Sequence, residues 1–351
     1  MRVVVTGATG NTGTSLLRSL ADEPAVDSVL GIARRPPELE LPKVEWATAD
    51  VVHDELVPLF RGADCVVHLA WLIQPSRDRN ALWLTNVHGS SRVFRAVADA
   101  GVPALVHASS VGAYSPGPKD RPVDESWPVQ GIRTSYYSRH KAEVERRLDR
   151  FELEHPEVRS ARLRPGLIFK RESATGQRRL FAGPFLPSPL VRPAFVPFVP
   201  DTPGLRFQAV HSDDAGEAYR LAAVGEARGA FNVAADPVVG PDELAELLHA
   251  RKLPVPRQLL RAAAQLTWRL HLQPSDVGWV DMGLNVPIMD GSRARDELGW
   301  RPRHTSLDAL RDVLGGIRDR AGLQTPPLEP RSRVEEIATG VGSREIGRGG
   351  K

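Results

Sequence analysis

Cysteine is nearly absent from this chain, since Cys65 is the only one among its 351 residues. A single thiol excludes an internal disulfide and any metal cluster held by several thiolates. Cys65 lies within the apolar run CVVHLA. We therefore expect it to be buried in the core of a protein from a reducing compartment.

Long apolar runs and a leader segment are also lacking. No stretch of the chain is apolar over the length that crosses a bilayer. The first β-branched run, RVVVTG, starts at Arg2, which leaves no room for a charged region followed by an apolar signal segment. These two absences predict a cytoplasmic protein with no membrane partner.

Lysine is scarce, with six residues against 40 arginines, and the formal net charge is only +3. The arginines are spread from Arg2 to Arg348 and are mixed with acidic residues. Proteins that bind nucleic acid typically concentrate basic residues on one face, so we expect no nucleic-acid partner. The hydrophobic content of 41% is ample for the core of a globular protein.

Short β-branched runs alternate with helical patterns along the first part of the chain. RVVVTG, SVLGIA, VEWATA, CVVHLA and ALVHASS indicate strands, and helical patterns include about 12–23 and about 84–100. Strands this apolar are typical of a parallel sheet covered by helices on both faces. The pattern predicts an α/β fold, a doubly wound parallel sheet (Rossmann) with a smaller C-terminal substrate-binding lobe.

Domain limits follow from changes in composition. The Rossmann core is predicted at 1–235, interrupted at about 170–205 by an apolar substrate loop, because 181–204 carries a proline every few residues. Within this core, Ser212 and Asp213 are expected to cap a helix. The lobe is predicted at 236–320, with helices at about 241–251 and 256–271 and a small one in DGSRARDELGW. Residues 321–351 are rich in Gly, Pro and charge, which predicts a disordered tail.

A glycine-rich segment follows the first strand directly. In VVVTGATGNTG, Gly7, Gly10 and Gly13 lie between this strand and the first helix. Gly7 allows a sharp turn, Gly10 allows the backbone to approach a pyrophosphate, and Gly13 allows the helix to pack on the strand. The N–H groups at the helix start, around Asn11 and Thr12, would hold the phosphates. A tight turn that binds nothing is the alternative.

The spacing of these glycines and several further motifs make the chain resemble the extended short-chain dehydrogenase/reductases, also called the NAD-dependent epimerase/dehydratase family. The motifs are TGATGNTG, GADCVVHLAW, TNVHGSSRVFRA, HASSVGAY, YSRHK, RPGLIF, VHSDDAGEA and GAFNVAA, in the family's order. The resemblance implies a nicotinamide cofactor, a small-molecule substrate and a homodimer as the expected assembly.

The end of the second strand bears on the choice between NAD and NADP. NAD sites usually carry an acid there that accepts hydrogen bonds from the ribose hydroxyls, but this strand ends GIARRPPE. Arg34 and Arg35 offer guanidinium groups suited to a 2′-phosphate. The sequence therefore favours NADP over NAD, with two solvated arginines as the alternative.

Other cofactor contacts are implied by the resemblance alone. It places Asp50 and Val51 beside the adenine, with the Asp50 carboxylate accepting from the adenine amino group, although Asp50 could equally cap the end of a strand. The remaining residues implied along the cofactor cleft and beside the nicotinamide are Leu69, Ala70, Trp71 and Pro165.

The stretch SYYSRHKAE sets two tyrosines before a lysine in a predicted helix capped by Ser135. At about 100° per residue, Lys141 lies about 40° around the helix from Tyr137 and about 140° from Tyr136. Only Tyr137 shares the face of the lysine. A phenol titrates at about 10 in water, and a nearby ammonium favours the phenolate. A solvated surface pair is the alternative, and His140 is expected to face solvent.

The resemblance adds a third catalytic residue and a reaction. It implies that Tyr137 and Lys141 form the proton-transfer pair, and that Ser110 in HASSVGAY holds the substrate oxygen. The neighbouring Ser109 should point to the other side of the extended chain. The implied chemistry is hydride transfer between a carbinol carbon and nicotinamide C4, with Lys141 also bonded to the nicotinamide ribose. No residue set suggests a metal site.

The residues at a few positions of the family's motifs narrow the substrate class. Val111 and Gly112 replace the acid pair of the 4,6-dehydratases, which excludes that reaction. Gly166 replaces an asparagine that many sugar-nucleotide epimerases carry. The Pro-rich loop contributes aromatic residues that indicate an apolar substrate side or, equally, covered core or a dimer contact; they are Phe181, Phe185, Phe195 and Phe198.

These observations predict an NAD(P)-dependent oxidoreductase that acts on a carbonyl or carbinol carbon of a small or apolar substrate. A sugar-nucleotide epimerase of the same fold is the second hypothesis, and an NADP-sensing regulator without turnover is the third. Ser110, Tyr137 and Lys141 argue against a sensor, which does not need them. Asn86 in TNVHG is expected to cap a helix or stabilise a bend.

Overall fold

The structure is a computed structural model that describes residues 1–35, 37–73, 76–181 and 196–329. Its strands are β1 (Arg2–Thr6), β2 (Ser28–Ala33), β3 (Val44–Thr48), β4 (Cys65–His68), β5 (Ala104–Ala108), β6 (Pro122–Val123), β7 (Arg159–Pro165), β8 (Leu167–Phe169), β9 (Phe198–Asp201), β10 (Ala209–His211), β11 (Gly229–Val233), β12 (Arg251–Pro254) and β13 (Ile288–Met289). The main sheet has seven strands in the order β11-β7-β5-β4-β1-β2-β3. All its neighbouring strands are parallel.

Helices cover both faces of this sheet. They are α1 (Asn11–Ala21), α2 (Val57–Phe60), α3 (Arg79–Trp83), α4 (Gly89–Asp99), α5 (Tyr136–Glu154), α6 (Ala174–Phe181), α7 (Ser212–Val224), α8 (Pro241–Leu248), α9 (Arg257–Arg269), α10 (Val277–Asn285), α11 (Ser292–Glu297) and α12 (Ser306–Asp319). A π-helical turn at Leu84–His88 separates α3 from α4.

The core has two layers because side chains alternate along each strand. In β1, Val3 and Val5 pack with α1 and α7 on one face, whereas Val4 packs with α4 and α5 on the other. Cys65 is fully buried in the first layer, and burial raises the pKa of its thiol to about 12. The predicted doubly wound parallel fold and the buried cysteine are confirmed.

Several element boundaries differ from the prediction. The helix predicted at 84–100 is α4 preceded by the π-helical turn, and the helix predicted from Thr12 begins at Asn11. The predicted cap of α7 is wrong, because the N-cap is His211, whose ring nitrogen accepts from the Asp213 N–H at 3.2 Å. Helices α2, α3, α6, α10 and α12 were not predicted from the sequence.

The Pro-rich segment and the tail are described only in part. Residues 182–195, with Phe185 and Phe195, lie outside the described residues, as does the side chain of Phe181. Phe198 is 53% exposed at the start of β9, which pairs with β12 in a small sheet. The first residues of the predicted tail, 321–329, are described, and there Leu328 is buried and its N–H donates to the Thr325 carbonyl. Residues 330–351 lie outside the described part.

Within the described ranges, no helix combines the length and the apolar character needed to cross a bilayer. The same ranges contain no group of three His, Cys, Asp or Glu side chains suited to holding a metal ion.

Candidate active site

The turn after β1 needs glycine at two positions for the fold itself. Gly7 has a φ of +73°, and a Cβ on it would lie 2.6 Å from the Ala70 nitrogen. A Cβ on Gly13 would lie 2.5 Å from the Gly7 carbonyl oxygen. The turn and the close approach of α1 to β1 therefore both exclude a side chain.

Gly10 is different, because the fold leaves more room for a side chain at this position. Its φ is −77°, and the nearest atom to an added Cβ is the Gly7 oxygen at 3.3 Å. It stands just before α1, whose first turn receives no side-chain cap. Among the described residues, no side chain caps the N–H groups of Asn11 and Thr12, so an anion could accept hydrogen bonds from them. The turn therefore fits the pyrophosphate of a dinucleotide.

The chain after β4 forms a wall of this turn. The Leu69 N–H donates to the Thr6 carbonyl at 3.0 Å, and Ala70 follows against the glycine turn. Asn86, fully buried in the π-helical turn, accepts from the Leu72 N–H at 2.7 Å and donates to the Leu72 carbonyl at 3.1 Å. As expected, Asn86 stabilises a bend, and its two hydrogen bonds hold the chain in place at Leu72.

The residues expected at the adenosine end lie after β2 and β3. Arg34 and Arg35 are exposed after β2. Asp50 Oδ1 accepts from the Val52 N–H at 2.8 Å, so this carboxylate caps the turn after β3. Val51 is buried beside it. The structure thus shows Asp50 in the capping role that the sequence analysis gave as the alternative to a contact with the adenine.

Ser110, Tyr137 and Lys141 come together beyond the carboxyl end of β5. Ser110 lies close enough to the Tyr137 phenol to act against the rise in its pKa, and the Ser110 Oγ accepts from the Gly112 N–H at 3.0 Å. Lys141, one turn along α5, donates to the Ala108 carbonyl at 2.7 Å. Ser135 caps α5 as predicted.

The neighbouring residues of α5 are arranged differently from this trio. The Tyr136 ring lies 6.1 Å from the Trp279 ring and 5.8 Å from the His140 ring. The prediction that His140 faces solvent is wrong, because it is 5% exposed and packs 5.1 Å from the Trp83 ring of α3. Pro165 ends β7, the strand beside β5, and is buried.

Burial is the main cause of the pKa shifts of Tyr137 and Lys141. It raises the pKa of Tyr137, which is 8% exposed, to about 12, although the hydrogen bond with Ser110 acts in the opposite direction. It lowers the pKa of Lys141 to about 7, against the charge of Glu145. The lowered phenol pKa expected from Lys141 is not found, because the ammonium lies 6.0 Å from the Tyr137 ring centroid. The phenol is therefore uncharged at neutral pH.

A buried ionic network behind the site was missed by the sequence analysis. Glu145, 2% exposed, receives two hydrogen bonds from Arg164, Nε to Oε1 at 2.8 Å and Nη2 to Oε2 at 2.7 Å. It also pairs with Arg162 at 3.1 Å and accepts from the Ser109 hydroxyl. This fixes α5 and the chain beside Ser110 to β7. The alternation of arginines along the strand SARLRP is the sequence signal that could have indicated this buried network.

Comparisons with known proteins agree with this geometry. A sequence profile of the NAD dependent epimerase/dehydratase family matches residues 3–181. An uncharacterised protein of Mycobacterium tuberculosis (H37Rv) is 28% identical over 326 residues, which are 92% of this chain and 31% of that protein. The chain thus spans less than a third of that relative. L-arabinose 1-dehydrogenase (NAD(P)(+)) of Haloferax volcanii is 34% identical over 109 residues, 31% of this chain and 41% of the enzyme.

Solved structures share the fold. UDP-glucose 4-epimerase of Thermus thermophilus in complex with NAD superimposes with a TM-score of 0.67 at 21% identity, over 91% of this chain and 99% of that one. The dTDP-glucose 4,6-dehydratase DesIV of Streptomyces venezuelae with NAD bound gives 0.66 at 21% identity, over 91% and 97%. With a profile match over about half of its length, the chain belongs to the NAD-dependent epimerase/dehydratase family.

Proposed function

We propose that the protein is a nicotinamide-dependent oxidoreductase that interconverts a carbonyl and a carbinol group on a small, apolar substrate. The observation that supports this best is a continuous series of contacts. Ala70 lies against Gly7 in the turn suited to a pyrophosphate, the next residue, Trp71, contacts the Tyr137 ring at 5.9 Å, and Ser110 acts on the pKa of the phenol from close by. Cofactor phosphates and proton donor would thus share one cleft.

Each residue has a role in this reaction. The Tyr137 phenol donates a proton to the substrate oxygen, or accepts it in the reverse direction, and Ser110 holds that oxygen. Lys141, on the same face of α5, would hold the cofactor ribose. A bound nicotinamide supplies or takes the hydride. The lobe predicted at 236–320 contributes Trp279, which packs 5.1 Å from the Tyr137 ring, so this lobe would form the substrate side.

For the cofactor we favour NADP over NAD. Arg34 and Arg35 are exposed after β2, and the Gly7 N–H donates to the Ile32 carbonyl at 3.1 Å, which ties the end of β2 to the glycine turn. A 2′-phosphate near this point would meet two guanidinium groups and no carboxylate from the end of the strand. Fluorescence titration with NADPH and NADH tests this preference.

Two glycines argue against the related reactions. A Cβ on Gly112 would lie 2.8 Å from the Tyr137 ring, so the acid that 4,6-dehydratases carry there does not fit beside this phenol. A Cβ on Gly166 would lie 2.5 Å from the Gln208 carbonyl oxygen. The asparagine of many sugar-nucleotide epimerases is therefore excluded by backbone packing.

A sugar-nucleotide epimerase is the second candidate, and one cationic cluster favours it. The Lys119 ammonium donates to the Arg206 carbonyl at 2.7 Å and to the Gly283 carbonyl of α10 at 2.9 Å. Burial lowers the pKa of Lys119 to about 7, and the charges of Arg206 and Arg257 lower it further. A nucleotide diphosphate would relieve this repulsion.

One assay separates the candidates. The purified protein is incubated with NADPH or NADH and a panel of ketones and aldehydes, and separately with NAD and UDP-sugars. Oxidation of the reduced cofactor by carbonyl compounds supports the oxidoreductase. Epimerised sugar without net cofactor turnover supports the second candidate, and cofactor binding with neither activity supports a sensor. The cytoplasmic location and the homodimer stay predictions, which fractionation and light scattering test.

A further inference from the structure

A buried lysine contacts the first turn of α1 from the neighbouring strand β8. Lys170 follows β8 directly and is 1% exposed. Its ammonium donates to the Asn11 carbonyl at 2.8 Å, to the Thr14 hydroxyl at 2.6 Å and to the Ser15 hydroxyl at 3.1 Å. A lysine has three N–H donors, so all of them are used to hold the residues that open α1.

These contacts extend to the turn suited to a pyrophosphate. The Thr14 hydroxyl donates to the Gly10 carbonyl at 3.0 Å, and the Asn11 side chain donates to the Ile168 carbonyl of β8 at 3.0 Å. Lys170 and β8 therefore fix the whole first turn of α1. The N–H groups of this turn are those that we assign to the cofactor phosphates.

The fold compensates the charge of this ammonium poorly. All three groups that it contacts are uncharged, and it lies at the amino end of α1, where the helix dipole disfavours a cation. Burial lowers the pKa of Lys170 from the ordinary 10.5 to about 8. The charges of Glu172 and Asp213 oppose this shift, and that of Arg18 adds to it. An anion held by the N–H groups of the same turn would supply the missing negative charge.

We propose that Lys170 is a positioning residue for the cofactor pyrophosphate, and that a dinucleotide binds tightly only while this ammonium is protonated. The proposal rests on the dinucleotide site of the proposed function. The pyrophosphate would accept from the N–H groups of Asn11 and Thr12, and Lys170 would balance its charge through the same turn. Lys141 differs from Lys170, since it would touch the cofactor ribose.

This arrangement sets the direction of the pH dependence. Lys170 is charged below about pH 8, so the affinity for a dinucleotide is full there and falls as the pH rises further. A bound anion favours the ammonium and raises its pKa, so binding just above about pH 8 takes up protons. Carboxyl and guanidinium groups titrate outside this range and do not contribute.

NADPH binding to the full chain tests the proposal at pH 7 and about pH 9.5. Kd is measured by fluorescence titration, and proton uptake by calorimetry at about pH 8.5 in buffers of different ionisation enthalpy. The protein carries Lys141→Met, because burial lowers the pKa of Lys141 to about 7 and this lysine would add its own pH dependence. We expect Kd to be at least about 10-fold higher at the higher pH, which corresponds to a coupling of one pKa unit, and NADPH binding to take up protons.

A variant of Lys170 separates its charge from its hydrogen bonds. In the same background, Lys170→Gln keeps a hydrogen-bonding side chain without the charge. It should bind NADPH at least about 10-fold more weakly at pH 7 and show neither the pH dependence nor the proton uptake. The control is Lys252→Met, because Lys252 is an exposed lysine of β12 that pairs with Asp242 at 2.6 Å. This control should keep both.

The inference would be overturned by a Kd that is equal at the two pH values, by binding without proton uptake, or by a Lys170→Gln protein that keeps the pH dependence. The first two results do not require the Lys170 variant to fold. In each of these cases the dinucleotide still binds, so the oxidoreductase function stands and only the role of Lys170 fails. If neither NADPH nor NADH binds to the wild-type chain at pH 7, both proposals fail.

Discussion

The buried carboxylate of Glu145 should stabilise the fold far more than an ordinary surface acid. Burial by itself would raise its pKa, but the hydrogen bonds and charge of Arg164, followed by Arg162 and Ser109, lower the pKa to about 2 from the ordinary 4.5. Glu145→Gln keeps the size of the side chain and removes the charge. Arg164, 4% exposed, would then lose its compensating carboxylate.

The magnitude follows from the lowered pKa. A difference of about 2.5 pKa units corresponds to about 3 kcal/mol of folding free energy, in line with the roughly 3–5 kcal/mol lost when one partner of a buried ion pair is removed. Because the folded pKa lies below the unfolded one, this contribution is fully present above about pH 4.5 and is lost as the pH falls towards about 2.

Urea unfolding at pH 7 measures the effect. The matched control is Glu143→Gln on the same helix, where Glu143 forms partly exposed pairs with Arg146 and Arg147 and should lose less than about 1 kcal/mol. Glu145→Gln should lose about 3 kcal/mol, and the gap between it and the wild type should narrow as the pH falls from about 4.5. A loss below about 1 kcal/mol, or one equal to that of the control, would refute the reasoning.

Three further predictions concern the cofactor. Replacing Arg34 and Arg35 by alanine should weaken NADPH binding by about 1–3 kcal/mol and leave NADH binding nearly unchanged in a fluorescence titration; equal effects would contradict the NADP preference. Gly10→Ala should weaken the cofactor at an unchanged melting temperature, whereas Gly13→Ala should lower the melting temperature, because its Cβ would lie 2.5 Å from a carbonyl oxygen; the reverse pattern would refute the phosphate role. Lys141→Met should slow turnover and weaken the cofactor. Wild-type turnover should fall as the pH rises through about 7, where burial places the Lys141 pKa; a flat profile would exclude this role for the ammonium.

The strands of the sheet were predictable because their pattern is local. A run such as CVVHLA is too apolar for a strand with one solvent-exposed face. It therefore predicts a parallel sheet that is covered by helices on both sides. Helices that depend on distant contacts were not predictable. In α12, Gly315 and Gly316 weaken the helical pattern, but Gly316 lies directly against the Arg171 carbonyl, where no Cβ fits. Tertiary packing therefore outweighs propensity there.

In the candidate site, too, local features could be predicted from the sequence and features that depend on tertiary packing could not. The shared face of Tyr137 and Lys141 follows from 100° per residue and needs no tertiary information. The position of Trp279 beside Tyr137 could not be predicted, because it depends on how α10 packs near α5. The high pKa of Tyr137 could not be predicted either, since burial of the ring is a property of the whole fold.

The proposed role of Tyr137 as the proton donor is the central claim, and one comparison of two neighbouring tyrosines tests it. Tyr137→Phe and Tyr136→Phe each remove one hydroxyl from the same helical turn, and turnover is measured on a carbonyl substrate found by screening, with cofactor affinity measured separately. We expect Tyr137→Phe to slow turnover by at least about 10²-fold with cofactor binding retained, and Tyr136→Phe to have a far smaller effect. Near-normal turnover in Tyr137→Phe together with its loss in Tyr136→Phe would contradict the claim.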